Sequence, residues 1–304
     1  MPDKDTAGPN YRWRMEFEEI VVETGRLAFP ALAAGSGPPV VCWHGFPDHP
    51  ATFEALAAQL VAAGRRVVAP FLRGHHPDTA DDARYIDGLT LASDAAAVAE
   101  ALGGGVDMIG HDIGAGMVQR VAAAWPSLLG RGVTIAVPPP ATLRALFTDP
   151  AQLRRSFYIW LFQLDGVPEA ILNADRKLID FLWETWSPGL TLLGPHRDRV
   201  HALYGDPRLA GNALRMYRAN FDTSLHDPEL AGLAVRTEAP ADKPLLLLAG
   251  EDDGCIAASA FAGAEQALAP GSRLEILPGV GHFMHLEQPH TVARLALEWF
   301  DGGA

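Results

Sequence analysis

The chain is a succession of short apolar runs separated by segments of helical period. Pro39-Val40-Val41-Cys42-Trp43, Arg66 to Pro70, Val106-Asp107-Met108-Ile109, Val133 to Val137, Pro244 to Ala249 and Arg273 to Leu277 are short and rich in aliphatic residues, which predicts buried strands. Between them the period lengthens. Thr52 to Ala63 carries Phe53, Leu56 and Leu60 on one face, with Gly64 as its stop signal. Ala92 to Leu102 is an alanine-rich helix, and Ala115 to Trp125 sets Met117, Val118 and Val121 together. Ala257 to Leu268 and His290 to Phe300 read as further helices, the last with Val292, Leu295 and Phe300 available to pack on the sheet. Ahead of these, Trp13 to Glu23 and Arg26 to Leu32 read as paired strands. Short apolar strands alternating with helices predict a mostly parallel sheet flanked by helices, an α/β fold.

The alternation stops after Pro138-Pro139-Pro140. From Ala141 to about Asp227 no strand signal appears, and the stretch holds Phe147, Tyr158, Trp160, Trp183, Trp186 and Tyr217. This predicts an inserted helical cap. The expected organisation is a core over 1–140, a cap over 141–230 and the rest of the core over 231–304. The length of 304 residues suits one large domain with an insertion, or two domains. The balance of 24 cations against 37 acids, a net charge of −13, argues against a nucleic-acid partner, and no basic cluster offsets it. Cys42 and Cys255 form neither a disulfide framework nor a zinc spacing, and each reads as a small buried residue beside a strand end. Met1-Pro2-Asp3-Lys4-Asp5 lacks the apolar core of a signal peptide, and no run approaches membrane-spanning length. A soluble cytoplasmic protein is expected, with a homodimer left open.

The chemistry centres on Gly110-His111-Asp112-Ile113-Gly114, between a predicted strand and a predicted helix. A strand, a turn flanked by glycines and a helix are the setting of a nucleophile elbow. The central residue is Asp112, where serine is commoner. A carboxylate needs no base to attack an electrophilic carbon at neutral pH, but the resulting ester needs a base to activate water. Folds with this elbow supply nucleophile, acid and histidine in that chain order. Gly250-Glu251-Asp252-Asp253-Gly254 follows a late strand and offers Asp253, preferred to Asp252. Pro278-Gly279-Val280-Gly281-His282 follows the last strand and offers His282 as the base. No acid follows the strand ending at Val137, and His285 reads as a helix-start residue packed beside the site. The N–H groups of Ile113 and of Phe46, in His44-Gly45-Phe46-Pro47, stand where donors to an oxyanion arise.

These motifs, with Gly281-His282-Phe283 continuing to Glu287-x-Pro289, make the chain resemble the epoxide hydrolases of the α/β-hydrolase fold over nearly its full length. The resemblance implies two cap tyrosines that hold and protonate the epoxide oxygen. Tyr158, ahead of Phe162-Gln163 and Gly166-Val167-Pro168-Glu169, and Tyr217, in Tyr217-Arg218, fill both slots in a chain with five tyrosines. It implies a small epoxide and water as partners, no metal or cofactor, and substrate-pocket positions at His44, Pro47, His111, Trp160 and Phe283. Two positions depart from the family pattern: Ile113 stands where tryptophan is frequent, and Phe71 where aspartate is usual. The first alternative is a dehalogenase-type hydrolase using the same Asp-His-Asp triad, disfavoured because Ile113 offers neither the tryptophan nor the arginine such enzymes use. The second is a hydrolase-fold ligand-binding protein, which expects a broken triad.

Overall fold

A computed structural model describes residues 15–145, 148–174, 176–190 and 194–302. The start of the first predicted strand, Phe147 and the amino-terminal Met1–Asp5 lie outside these residues. Eight strands form one sheet in the order β1-β2-β4-β3-β5-β6-β7-β8. They are β1 Glu18–Glu23, β2 Ala28–Ala34, β3 Pro39–Trp43, β4 Arg66–Pro70, β5 Val106–His111, β6 Leu129–Ile135, β7 Leu245–Gly250 and β8 Arg273–Leu277. β2 pairs antiparallel with β1 and with β4, and all later pairings are parallel.

Both faces of the sheet are covered, as a parallel sheet requires. Because side chains alternate along a strand, Val40, Cys42 and Ile109 enter one apolar layer while Val41, Trp43 and Met108 enter the other. The first layer is closed by α1 (Glu54–Ala62), α12 (Met284–Glu287) and α13 (Pro289–Phe300), through Leu56, Leu60, Met284, Val292 and Trp299. The second is closed by α2 (Gly88–Ala101) and α3 (Ile113–Ala124), through Leu91, Ala95, Val118 and Val121.

Between β6 and β7 the described residues form helices and no strand: α4 Pro140–Ala145, α5 Pro150–Arg155, α6 Phe157–Leu161, α7 Val167–Asn173, α8 Lys177–Trp186, α9 Gly194–Leu203, α10 Pro207–Arg218 and α11 Ala234–Glu238. Leu172, Leu182, Trp186, Tyr204 and Leu214 of this insertion join the same apolar cluster as Val41 and Trp43.

One predicted element is absent. Ala257 to Leu268 is not a helix but two short 3-10 turns, Ala258–Phe261 and Ala264–Ala267. Ala262 is extended, and Gly263 takes φ +77°, a left-handed conformation open to glycine at little cost, so the helix cannot continue through them. No described helix is long and apolar enough to cross a membrane.

Candidate active site

The carboxyl ends of β3, β5, β7 and β8 converge, which is where ligands bind in sheets of this kind. Asp112 sits between β5 and α3 at φ 52°, ψ −115°, a strained conformation for a residue with a Cβ. The flanking glycines make the turn sterically feasible. A Cβ on Gly110 would meet the Gly114 carbonyl, and one on Gly114 would meet the Trp43 carbonyl. Asp112 Oδ1 accepts from the Phe46 N–H at 2.9 Å. The Ile113 N–H belongs to the first turn of α3, whose leading N–H groups lack an intrahelical acceptor and favour negative charge nearby.

His282 and Asp253 come from the loops after β8 and β7. Asp253 Oδ2 meets His282 Nδ1 at 2.9 Å, and Oδ1 accepts from the N–H groups of Cys255 and Ile256 at 2.7 and 2.9 Å. His282 Nε2 lies 3.6 Å from Asp112 Oδ2, an opposite-charge contact too long for a hydrogen bond. Burial disfavours the His282 cation, but the carboxylates of Asp253 and Asp112 outweigh it and raise the imidazole to about 10. Burial likewise pushes the Asp112 carboxyl up. His282, His111 and the Phe46 N–H outweigh that and hold it below its ordinary value. The pair is therefore a carboxylate facing an imidazolium. Such a carboxylate can act as a nucleophile, and such an imidazole becomes a base once the opposing charge is removed.

Tyr158 of α6 and Tyr217 of α10 stand together, their rings edge to face at 5.5 Å. Tyr217 also packs on Phe46 at 5.3 Å, and Tyr158 on Trp186 at 5.0 Å. The Tyr217 hydroxyl is buried with no partner at hydrogen-bond distance and faces the Tyr158 hydroxyl, which meets Cys255 Sγ at 3.6 Å. Burial raises both phenols well above their ordinary value, so both keep their protons at neutral pH. Asp112, Ile113, Tyr158, Tyr217 and Trp160 all line one cavity of about 570 Å³, otherwise walled largely by apolar side chains such as Met117 and Met216. Trp160, 40% exposed, lies against Phe221, another lining residue, with ring centroids 5.3 Å apart.

Four residues expected at the pocket do not line it. His44 is buried, its Nδ1 on the Gly45 carbonyl at 2.9 Å and its Nε2 accepting from the Leu72 N–H at 3.2 Å. Pro47 turns its carbonyl to the Trp183 Nε1–H at 2.7 Å. Phe283 stacks on Trp183 at 3.9 Å, and His111 packs behind the elbow against His282 at 4.8 Å. They brace the backbone around the cavity rather than face it. Phe71, the other departure from the family pattern, packs between His49 and His76.

Residues without a motif also shape the site. Gln152 of α5 donates to the Cys255 carbonyl at 2.7 Å and accepts from the Ala257 N–H at 3.1 Å, and Arg155 donates to the Asp253 carbonyl at 3.0 Å. Thus α5 clamps the loop that carries Asp253. The Trp186 carbonyl at the end of α8 accepts from both Gly254 N–H and His282 N–H. No sequence period marks such long-range partners.

Among the described residues, one cluster has the composition of a metal site: Asp48, His111 and His285, all buried, with ligand atoms within 4.8 Å of one another. Zinc holds imidazole nitrogen and carboxylate oxygen at about 2.0–2.2 Å, which puts neighbouring ligands about 3.5 Å apart. Asp48 Oδ2 and His111 Nδ1 are 4.0 Å apart, so the cluster is wider than a zinc centre. Asp48 Oδ1 instead meets His196 Nε2 at 2.9 Å, and His285 Nε2 meets Thr52 Oγ1 at 2.7 Å.

The sequence pattern of the alpha/beta hydrolase family matches residues 40–295. The chain belongs to that family, and it is a hydrolase. It is 27% identical over 295 residues to the AB hydrolase superfamily protein YfhM of Bacillus subtilis, spanning 91% of this chain and 96% of that one. It is 28% identical over 276 residues to Epoxide hydrolase 3 of Mus musculus, spanning 88% and 71%. The solved epoxide hydrolase from an endophytic Streptomyces superposes with a TM-score of 0.73 at 25% identity, covering 94% of this chain and 96% of that one.

Proposed function

We propose that the protein hydrolyses an epoxide to a vicinal diol through a covalent ester on Asp112. The observation that carries this reading is the convergence of one carboxylate and two protonated phenols on a single cavity. Opening an epoxide needs a nucleophile on carbon and a proton donor for the departing oxygen, and few other reactions need two phenols opposite a carboxylate. Relatives named as epoxide hydrolases support it. Ile113 supports it against dehalogenation, since its apolar side chain supplies neither the tryptophan nor the arginine donor that the resemblance implies for such enzymes at this position.

In this mechanism Tyr158 and Tyr217 donate to the epoxide oxygen, and Asp112 Oδ2 attacks a ring carbon. Oδ1 stays on the Phe46 N–H. The oxygen takes a tyrosine proton, which the His282 imidazolium replaces. Esterification has removed the Asp112 charge that helped hold the proton on His282, so the neutral imidazole can deprotonate water. Asp253 orients it. Hydroxide adds to the ester carbonyl, and the Phe46 and Ile113 N–H groups stabilise the oxyanion. Collapse releases the diol alkoxide, which takes the proton of the new Asp112 carboxyl. The insertion of helices α4 to α10 acts as a cap that keeps bulk water from the ester.

The test follows the oxygen. With enzyme in excess in heavy-oxygen water, the first-turnover diol of a styrene-oxide-like substrate should be mostly unlabelled, and Asp112 should gain the label. The His282→Gln variant should alkylate, stall, and gain the mass of one substrate. Full solvent label in the first diol, with no adduct on the variant, would overturn the covalent mechanism.

A further inference from the structure

We propose that Cys255 is a positioning residue for ring opening: its thiol donates to the Tyr158 hydroxyl oxygen from behind and so turns the phenol proton toward the substrate. This rests on the epoxide reading above. Cys255 lies two residues beyond Asp253 and is 1% exposed. Its Sγ stands 3.6 Å from the Tyr158 hydroxyl. Tyr158 lines the cavity, and Cys255 is not among the described lining residues. The thiol therefore acts on the phenol and not on the substrate.

Its seat is fixed from both sides. The Cys255 N–H donates to Asp253 Oδ1 at 2.7 Å, and the Cys255 carbonyl accepts from the Gln152 side chain at 2.7 Å. Tyr158 is held by its ring, against Trp186 at 5.0 Å, Tyr217 at 5.5 Å and Phe162 at 5.7 Å. The loop that carries the triad acid thus also presents a sulfur to the tyrosine of α6.

A thiol is a weak donor and a weak acceptor, and a phenol is both donor and acceptor. Either group can give its proton to the other. If Tyr158 donates to Sγ, its proton points away from the epoxide. If Cys255 donates to Tyr158, the phenol proton is free for the epoxide oxygen. Ring opening favours the second arrangement. The Tyr158 O–H bond breaks, the alkoxide gains the proton, and the phenol oxygen gains negative charge, which a donor stabilises. The S–H bond stays intact throughout. Tyr217, whose hydroxyl faces Tyr158, has to donate to the epoxide itself. Burial and the carboxylates of Asp253 and Asp112 push the thiol well above its ordinary value, so its proton stays in place at neutral pH.

The test is single-turnover kinetics with a styrene-oxide-like substrate, which separates ring opening from ester hydrolysis. Cys255→Ala should slow ring opening by about fivefold, the scale of one S–H···O contact, with the loss absent from ester hydrolysis. Cys255→Ser keeps a donor and should recover part of the rate. In a Tyr158→Phe background Cys255→Ala should cost nothing further, whereas in a Tyr217→Phe background the loss should persist. The infrared S–H band that Cys255→Ala removes should lie below that of a free thiol and move up in Tyr158→Phe, a readout independent of turnover. Equal losses in the two tyrosine backgrounds, a loss confined to ester hydrolysis, no recovery in Cys255→Ser, or an S–H band indifferent to Tyr158 would overturn the assignment and leave the epoxide reading standing. Absence of epoxide turnover in wild type would overturn both.

Discussion

The two walls of the site are held by different means. On the sheet wall, behind the lining of the cavity, Asp253 is saturated: one carboxylate oxygen takes two backbone N–H groups and the other takes His282. On the helical wall, Tyr158 and Tyr217 are held by their rings, against each other, Phe46 and Trp186, while their hydroxyls are nearly unpartnered. A saturated buried network positions its members and stabilises the fold together. Ring packing positions a phenol while leaving its donor for a ligand, at some cost in stability. Stability and activity should therefore be coupled on one wall and separable on the other.

The largest expected effect lies on the sheet wall. Asp253→Ala leaves an imidazole and two buried N–H groups without their acceptor, and removing one partner of a buried pair costs about 3–5 kcal/mol. Denaturant unfolding should show that loss along with loss of ester hydrolysis, and a variant as stable as wild type would break the comparison. On the helical wall, the Tyr158→Phe/Tyr217→Phe double variant should lose about 10²–10⁴-fold in ring-opening rate. Its unfolding midpoint should stay level or rise, and Tyr217→Phe alone should rise, because that change removes a buried hydroxyl with no partner at hydrogen-bond distance. Unchanged ring-opening kinetics in the double variant would remove the tyrosines from the mechanism. A third effect concerns pH. His282 is raised from 6.5 to about 10 in the folded protein. Its charged form thus contributes stability that is fully present below about 6.5 and lost as pH rises through about 10. The gap in melting temperature between wild type and His282→Gln should narrow over that window, and a gap that widens would show the imidazole to be neutral in the fold.

Legibility also differed between these walls. The elbow could be read because its cause is local: a strand, a turn that excludes Cβ atoms at Gly110 and Gly114, and a helix, all within one short stretch. The positions of Asp253 and His282 could be read because each follows a strand directly. The helical wall offered only aromatic residues in a helical context, and its tyrosines were singled out by resemblance rather than by period. Gln152 and Trp183 carried no signal, since a glutamine on a helix or a tryptophan in an aromatic-rich stretch has the same local pattern whatever it meets.

By itself the sequence determined the succession of strands and helices, the tight turn around Asp112 and the order of chemical groups along the chain. These follow from side-chain period, backbone sterics and short connections. Tertiary structure alone decided that Ala257 to Leu268 breaks at Gly263, and that His44, Pro47, His111 and Phe283 stand behind the cavity wall while Trp160 stands on it. It also decided that α5 grips the loop of Asp253. Such facts depend on which distant segments meet and on which side of a backbone the space is left, and no local pattern of residues encodes either.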